Sequence, residues 1–205
     1  MILPSKKFWD IFKSTEGALS CCEALAIINI AAISPKSIYA EFGTFHGKSA
    51  MAAAVSLKDF DGDGITPEFY LIDPIFEDMI LCKTVYNTIG EATGWKNMGF
   101  GFEPAYSIDE IQKHDTYSYV MIDSGSHQDG LPMQEVKLLE DRMVQGGIIA
   151  FHAYLSQFVE VHQAYNYLVS TGKYEPIPIN WDEIISYVNE NNLEERNNSW
   201  HHTEM

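Results

Sequence analysis

Apolar and polar residues alternate along this chain in two different rhythms. Short, fully apolar runs predict buried strands, and the stretches between them carry apolar residues every three or four positions, which is typical of helices. The predicted strands cover 37–42, 69–75, 95–102, 117–123 and 148–152, and the predicted helices cover 46–57, 77–91, 131–144 and 156–170. This alternation predicts an α/β fold, a parallel sheet with helices on both faces.

Both ends of the chain depart from the alternation. Residues 6–13 and 20–33 read as two extra helices, the second ending before Pro35, and residues 174–179 and 184–189 read as two further strands joined at 180–182. These last strands predict an antiparallel terminal hairpin and a mostly parallel sheet of seven strands. We therefore divide the chain into an N-terminal helical extension (1–34), a main domain (35–190) and a polar tail (191–205).

Charge narrows the range of partners. The chain has 13 Lys and Arg against 29 Asp and Glu, a formal net charge of -16. Such a surface repels phosphate backbones and anionic headgroups, so we expect neither nucleic acid nor membrane as a partner. The first ten residues are too polar for a signal core, no apolar stretch is long enough for a membrane span, and the three cysteines form no C-x-x-C pair. We expect a cytoplasmic protein, and the amphipathic N-terminal helices are compatible with a homodimer.

The first chemical motif is EFGTFHGKS, residues 41–49, at a strand-to-helix turn. Gly43 and Gly47 allow a sharp turn and a close approach to a ligand, and the amides at a new helix start favour an anionic group. The ending GKS also occurs in phosphate-binding loops of nucleotide hydrolases, but that motif requires four residues between its glycines and this one has three. The dinucleotide pattern G-x-G-x-x-G is absent as well.

The surrounding sequence gives this loop a specific resemblance. Residues 41–49 match the signature E-x-G-T-x-x-G-x-S, YLIDP follows at 70–74, and YVMIDSGSH and GGIIAFH follow in order. In these features residues 17–154 resemble class I S-adenosylmethionine-dependent methyltransferases, particularly the macrocin-O-methyltransferase-like group. The resemblance implies a Rossmann-like fold and S-adenosylmethionine as cofactor.

The resemblance also implies which residues bind that cofactor, and residues 101–105 should flank its adenine. Asp73 at the end of the second strand would accept hydrogen bonds from the ribose hydroxyls; a helix cap or turn residue before Pro74 is the alternative, which the matched loop upstream disfavours. Glu41 would orient the loop or the methionine amine. The implied set is Glu41, Gly43, Thr44, Gly47, Ser49, Asp73 and Asp123.

Asp123 and His127 are the candidate catalytic residues, because open α/β sheets bind ligands at the carboxyl ends of their strands. Relatives place a general base at the histidine of an I-D-x-G-S-H stretch, which is His127 here, and a surface histidine that caps the next helix is the alternative. The resemblance implies O-methylation of a small-molecule acceptor, a sugar among the candidates.

Several relatives also bind magnesium through acidic residues after strands four and five. This chain has Ser124 there, and Phe151, His152 and Ala153 after strand five, so we expect chemistry without a metal. The missing acids leave open a cofactor-binding domain without catalytic activity.

Overall fold

The computed structural model describes residues 1–57, 67–95, 99–125, 127–152 and 157–193. Within these ranges the chain forms one sheet of five strands, all parallel, in the order β3-β2-β1-β4-β5. The strands are β1 (Ile38–Phe42), β2 (Glu68–Ile72), β3 (Gly99–Glu103), β4 (Tyr117–Ile122) and β5 (Met143–Phe151). The predicted α/β class with a parallel, Rossmann-like sheet is confirmed.

Helices cover both faces of the sheet, as the alternating pattern predicts. They are α1 (Lys6–Ser14), α2 (Cys21–Ile33), α3 (Lys48–Leu57), α4 (Met79–Thr93), α5 (Ser107–Ile111), α6 (Leu131–Leu139), α7 (Val159–Ser170) and α8 (Trp181–Glu190). Side chains of β1 alternate between two cores: Tyr39 belongs to the core that includes residues of α1, α2, α3, α4 and α8, and Ala40 and Phe42 belong to the core that includes residues of α5, α6 and α7. Every residue of β4 is buried, as expected for a strand covered on both faces.

The predicted seven strands and antiparallel hairpin are wrong for the described part of the chain. Residues 174–180 form no strand, and 181–190 form helix α8. Pro176 and Pro178 cannot donate backbone hydrogen bonds to a sheet. In α8 the buried Ile184 and Val188 lie four residues apart, and the Asn180 side chain caps the helix by accepting from the amide of Glu183. The β-branched residues suggested a strand, but the spacing and the cap are those of a helix.

Other element boundaries shift by smaller amounts. The helix predicted over 131–144 ends at Leu139, and β5 begins as early as Met143. The third strand begins at Gly99 rather than at residue 95, and the short helix α5 was not predicted. A 3-10 helix, Pro74–Glu77, follows β2 where the prediction extended the strand to residue 75.

The N-terminal helices share the core of the sheet, since α1 packs on α4 and α2 packs on α3 and α8. No helix in the described ranges is long and apolar enough to cross a membrane. Most of the predicted tail, residues 194–205, lies outside the described residues. The sheet order places β1 between β2 and β4, so the connections after β1 and β4 leave the sheet in opposite directions. A crevice opens at this point, outside the carboxyl ends of the strands.

Candidate cofactor and catalytic site

A cavity of about 1010 Å³ lies at the carboxyl ends of β1, β2 and β4. The loops after these strands form its floor, and the start of α2 and the start of α8 form its outer wall. Of the residues that the sequence singles out, Gly43, Asp73, Asp123 and His127 line this cavity. Its size is at the upper end of the range for small-molecule and cofactor sites, roughly 300–1,000 Å³.

Gly43 begins the loop after β1 and allows it to lie against the end of β4. Its φ of 87° is in the left-handed region, and a Cβ built there would lie 2.1 Å from the carbonyl oxygen of Asp123. Gly47, at φ 77°, faces α4, where a Cβ would lie 2.7 Å from Cγ1 of Val85. Both glycines of the motif are therefore needed for close packing of the loop, at Gly43 against the strand that carries Asp123.

The polar residues Glu41, Thr44 and Ser49 of the motif lie beneath the loop rather than in the cavity. Ser49 donates a hydrogen bond to Oε1 of Glu41 at 2.6 Å, and the Thr44 hydroxyl donates to the Glu41 carbonyl oxygen at 3.2 Å. Burial raises the pKa of Glu41 to about 8, and the carboxylates of Asp123 and Asp73 add to this rise, against the lowering by the Ser49 hydrogen bond. This position favours the expectation that Glu41 orients the loop over a direct contact with the methionine amine.

Asp73 follows β2 and has two structural roles already. Its Oδ2 accepts a hydrogen bond from the amide of Phe45 at 2.9 Å, and its Oδ1 accepts from the amide of Ile75 at 3.1 Å. The second contact caps the 3-10 helix, so Asp73 is a helix cap, as the alternative interpretation predicts. A carboxylate has about four acceptor positions, and two are used here. Asp73 also lines the cavity, where the remaining positions are free to accept hydrogen bonds from a ligand.

Asp123 contacts two histidines at the end of β4. Its Oδ1 lies 2.9 Å from Nδ1 of His152 and 3.3 Å from Nε2 of His127. Burial alone would raise the pKa of Asp123, but the hydrogen bonds and charges of the two histidines lower it below its ordinary value. The sequence placed Asp123 and His127 together, and the structure adds His152, which follows β5.

His152 lies between carboxylates on both sides. Nε2 of its ring lies 3.7 Å from Oε1 of Glu23, at the start of α2. Burial would lower the pKa of His152, but Asp123, Glu23 and Glu41 together raise it to about 9. The surrounding carboxylates therefore favour the protonated form of His152.

The loop that carries His127 has an unusual backbone. His127 at φ 57° and Asp129 at φ 62° both lie in the left-handed region, which non-glycine residues rarely adopt. Beside them, Ser124 is buried and donates a hydrogen bond to Oε1 of Glu135, a fully buried residue of α6 whose pKa is raised by burial. Strained residues of this kind occur most often at functional sites, where the surroundings fix them.

The position of Lys48 distinguishes this loop from the phosphate-binding loop of nucleotide hydrolases. Its side chain is buried on the far side of the loop, where Nζ donates to the carbonyl oxygen of Gly17 at 3.3 Å and lies 4.5 Å from the ring centre of Phe12. Lys48 does not line the cavity. Its position joins the loop to the N-terminal helices and gives no support to the nucleotide-hydrolase alternative.

The residues around the cavity do not fit a magnesium ion. Magnesium prefers several hard oxygen ligands in octahedral geometry, and Asp123 already accepts hydrogen bonds from two histidines. Across the described residues no three His, Cys, Asp or Glu side chains come together as metal ligands do. Ala153 lies outside the described residues.

Sequence reasoning missed two acidic residues of this site. Glu23 forms a capping box with Ser20, a pattern visible in the sequence as S-x-x-E, but the pattern does not show that its other oxygen faces His152. Glu135 lies on the apolar face of α6, and an acidic residue at a buried position of a helix is a sequence signal of a polar contact. The Glu23–His152 contact joins residues far apart in the chain, whereas Glu135 meets Ser124 only 11 residues away.

Comparison with known proteins shows the fold. No protein-family model matches the sequence, and no curated protein matches it. Among solved structures, an O-methyltransferase from Bacillus cereus in complex with SAH is 11% identical, with a TM-score of 0.57 over 83% of this chain and 81% of that one. Precorrin 8w decarboxylase from Methanobacterium thermoautotrophicum is 16% identical, with a TM-score of 0.56 over 82% and 81%.

A third similar structure extends the range of activities. Spermidine synthase from Thermotoga maritima is 11% identical, with a TM-score of 0.50 over 73% of this chain and 50% of that one. Identities this low show a shared fold and nothing finer, and the three names cover different reactions. The assignment of a function therefore depends on the site itself.

Proposed function

We propose that this protein is an S-adenosylmethionine-dependent methyltransferase that transfers a methyl group to a hydroxyl of a small molecule without a metal. The observation that carries the proposal is the convergence of three features on one cavity. These are the Gly43 loop, the carboxylate of Asp73, and the Asp123–His127 pair. The similarity in fold to an O-methyltransferase with bound SAH supports the same cofactor class.

The residues on one side of the cavity fit the cofactor. Asp73 retains acceptor positions for two ribose hydroxyls after binding the amides of Phe45 and Ile75. Ile72, Pro74 and Ala105 provide apolar surface beside it, suited to the adenine ring. This assignment agrees with the expected position of the adenine near residues 101–105.

The other side of the cavity would bind the acceptor. It is formed by residues from separate parts of the chain: Glu23, His127, His152, Phe158 and Trp181. The ring centre of Phe158 lies 5.0 Å from that of His127, so an aromatic surface adjoins the proposed base. Neither Lys nor Arg lines the cavity within the described chain, which favours a neutral or cationic acceptor over an anionic one.

His127 is the proposed general base. When its ring is neutral and Nε2–H donates to Oδ1 of Asp123, Nδ1 keeps a lone pair that can take the acceptor's proton. S-adenosylmethionine supplies, when bound, a methyl group on a positively charged sulfur. His127 removes the hydroxyl proton as the acceptor oxygen bonds to the methyl carbon, and the carbon–sulfur electron pair remains on sulfur. A positioned base of this kind accelerates a reaction by roughly 10²–10⁴-fold.

Calorimetric titration tests the cofactor. We expect S-adenosylmethionine to bind the wild type, and Asp73→Ala to weaken it at least tenfold, about 1.4 kcal/mol, since hydrogen bonds to a carboxylate are lost. Asp78→Ala is the matched control, because Asp78 caps α4 through the amides of Ile80 and Leu81 and does not line the cavity. Binding of ATP without binding of S-adenosylmethionine would overturn the proposal.

Turnover tests the chemistry. A panel of hydroxyl-bearing acceptors, assayed by formation of S-adenosylhomocysteine, should give at least one substrate. His127→Gln should then lower kcat by 10²-fold or more with little change in cofactor affinity. Unchanged turnover in His127→Gln would show that His127 is not the base. Cofactor binding without turnover of any acceptor would favour the non-catalytic alternative.

A further inference from the structure

His152 is a histidine of the cavity that lies among carboxylates. Four carboxylates line the cavity, from Glu23, Asp73, Asp123 and Asp129, and no Lys or Arg does so among the described residues. His152 lies between two of these carboxylates, one on β4 and one on α2. Neither the resemblance nor the motif spacing assigns it a function.

We infer that His152, as an imidazolium, is a positioning residue that fixes the Asp123 carboxylate and so keeps His127 available as a base. The inference rests on the proposed function for the role of His127, but the coupling between the two histidines can be measured without any substrate.

The geometry favours protons on both ring nitrogens of His152. Nδ1 lies 2.9 Å from Oδ1 of Asp123, and Nε2 lies 3.7 Å from Oε1 of Glu23. A neutral imidazole would direct a lone pair at one of these two carboxylates, which is repulsive. The imidazolium directs a proton at each, so His152 connects Asp123 at the end of β4 with Glu23 at the start of α2. The pKa of about 9 agrees with this arrangement, since the charges of Asp123, Glu23 and Glu41 outweigh the effect of burial.

The shared oxygen of Asp123 links His152 to His127. Oδ1 accepts from both rings, at 2.9 Å and 3.3 Å. The positive charge of His152 offsets the negative charge of Asp123, which would otherwise favour a protonated His127. A protonated His127 has no lone pair with which to take the acceptor's proton. In this arrangement His152 acts on the reaction only through Asp123 and His127.

Glu23 connects His152 with the N-terminal helices. Its Oε2 accepts from the amide of Ser20 at 2.8 Å in the capping box of α2, while its Oε1 faces His152. Replacing Glu23 by Gln removes one of the three charges that keep His152 protonated, and it retains a side chain of the same size. This variant changes the electrostatics with little change in packing.

Histidine ring resonances followed by NMR against pH test the inference in the full-length protein. His127→Gln and His152→Gln assign the two signals among the seven histidines. In the wild type we expect His152 to remain protonated up to about pH 9. In Glu23→Gln its titration midpoint should fall, and in His152→Gln the ring resonances of His127 should move, as expected when the charge beside Asp123 is lost.

His162→Gln is the matched control, since His162 lies on α7 and does not line this cavity. It should leave the His127 resonances unchanged. Titration of wild-type His152 near 6.5 would overturn the inference even where the variants fail to fold, and an unmoved His127 in a folded His152→Gln would overturn it as well. Calorimetry separates the two proposals: a wild type that shows the histidine coupling but does not bind S-adenosylmethionine refutes only the proposed function.

Discussion

Replacing Gly43 by alanine should damage both the stability and the ligand site of this protein, and the structure sets the size of the effect. The added Cβ would lie 2.1 Å from the carbonyl oxygen of Asp123 and 2.9 Å from Cα of Ser124. Both atoms belong to backbone, and comfortable contact between carbon atoms begins at roughly 3.5 Å. The loop and β4 must therefore separate by more than an ångström, which no side-chain rotation can avoid.

Two costs add in Gly43→Ala. The left-handed φ of 87° costs a non-glycine residue about 1 kcal/mol, and overpacking costs typically 1–3 kcal/mol more. We therefore expect the free energy of unfolding to fall by about 2–4 kcal/mol, which corresponds to roughly 5–15 °C in Tm for a chain of this length. Because the separation moves the loop away from Asp123, affinity for S-adenosylmethionine should fall at least tenfold.

Gly94→Ala isolates the first cost, that of the left-handed backbone. Gly94 ends α4 with a φ of 75°, and a Cβ there would meet nothing within 4 Å. This variant should lose only about 1 kcal/mol, or 2–4 °C, and should bind the cofactor as the wild type does. Differential scanning calorimetry and binding titrations on the three proteins measure both quantities. Equal losses of stability in the two variants, or normal cofactor binding by Gly43→Ala, would show that the close approach of loop and strand is not what this glycine provides.

Three further predictions concern pH, acceptor binding and metal. Burial raises the pKa of Glu41 from 4.5 to about 8, so its stabilising contribution is complete below pH 4.5 and is lost as the pH rises through 8. Tm should accordingly decline over this window, and Glu41→Gln should flatten the decline; a wild-type Tm that rises from pH 5 to 8 would contradict this. Trp181→Ala, at the outer wall of the cavity, should raise the acceptor KM severalfold and leave cofactor affinity within about twofold, and an equal loss of both would place Trp181 at the cofactor instead. Chelation with EDTA should leave turnover unchanged, and activity restored by added magnesium would refute metal-independent chemistry.

The main architecture was predictable because its signals are local. A buried parallel strand needs a short apolar run, and the helix that follows it shows its own period, so β1, β2 and β4 were placed to within a few residues. Glycines lower the apolar character of a strand, which is why β3 and the first half of β5 were placed less well. Residues 184–188 show the limit of this reasoning, since IISYV suits a strand by composition and a helix by spacing.

Whether a polar residue of the site could be predicted depends on how far apart in the sequence its contacts lie. Glu41 and Ser49 are eight residues apart in one motif, and their hydrogen bond follows from a strand-loop-helix unit that the sequence displays as a whole. Asp73 contacts the amide of Phe45 across two neighbouring strands, a contact that parallel pairing in the order β2-β1 makes predictable. The proposed cofactor side of the cavity could therefore be derived from motif and topology together.

The acceptor side could not, because no single motif contains it. Glu23 comes from the helical extension before the sheet, His152 follows the last strand, and Trp181 begins a helix that the sequence pattern presented as part of a hairpin. These residues meet only after α2 and α8 pack on the same face of the sheet and against each other. A change in that packing would alter the wall of the acceptor site while leaving the Gly43 loop and Asp73 in place. Variation of the acceptor in proteins of this architecture is thus expected to follow the terminal helices, and exchange of α2 and α8 is the change that should alter acceptor choice without loss of the cofactor.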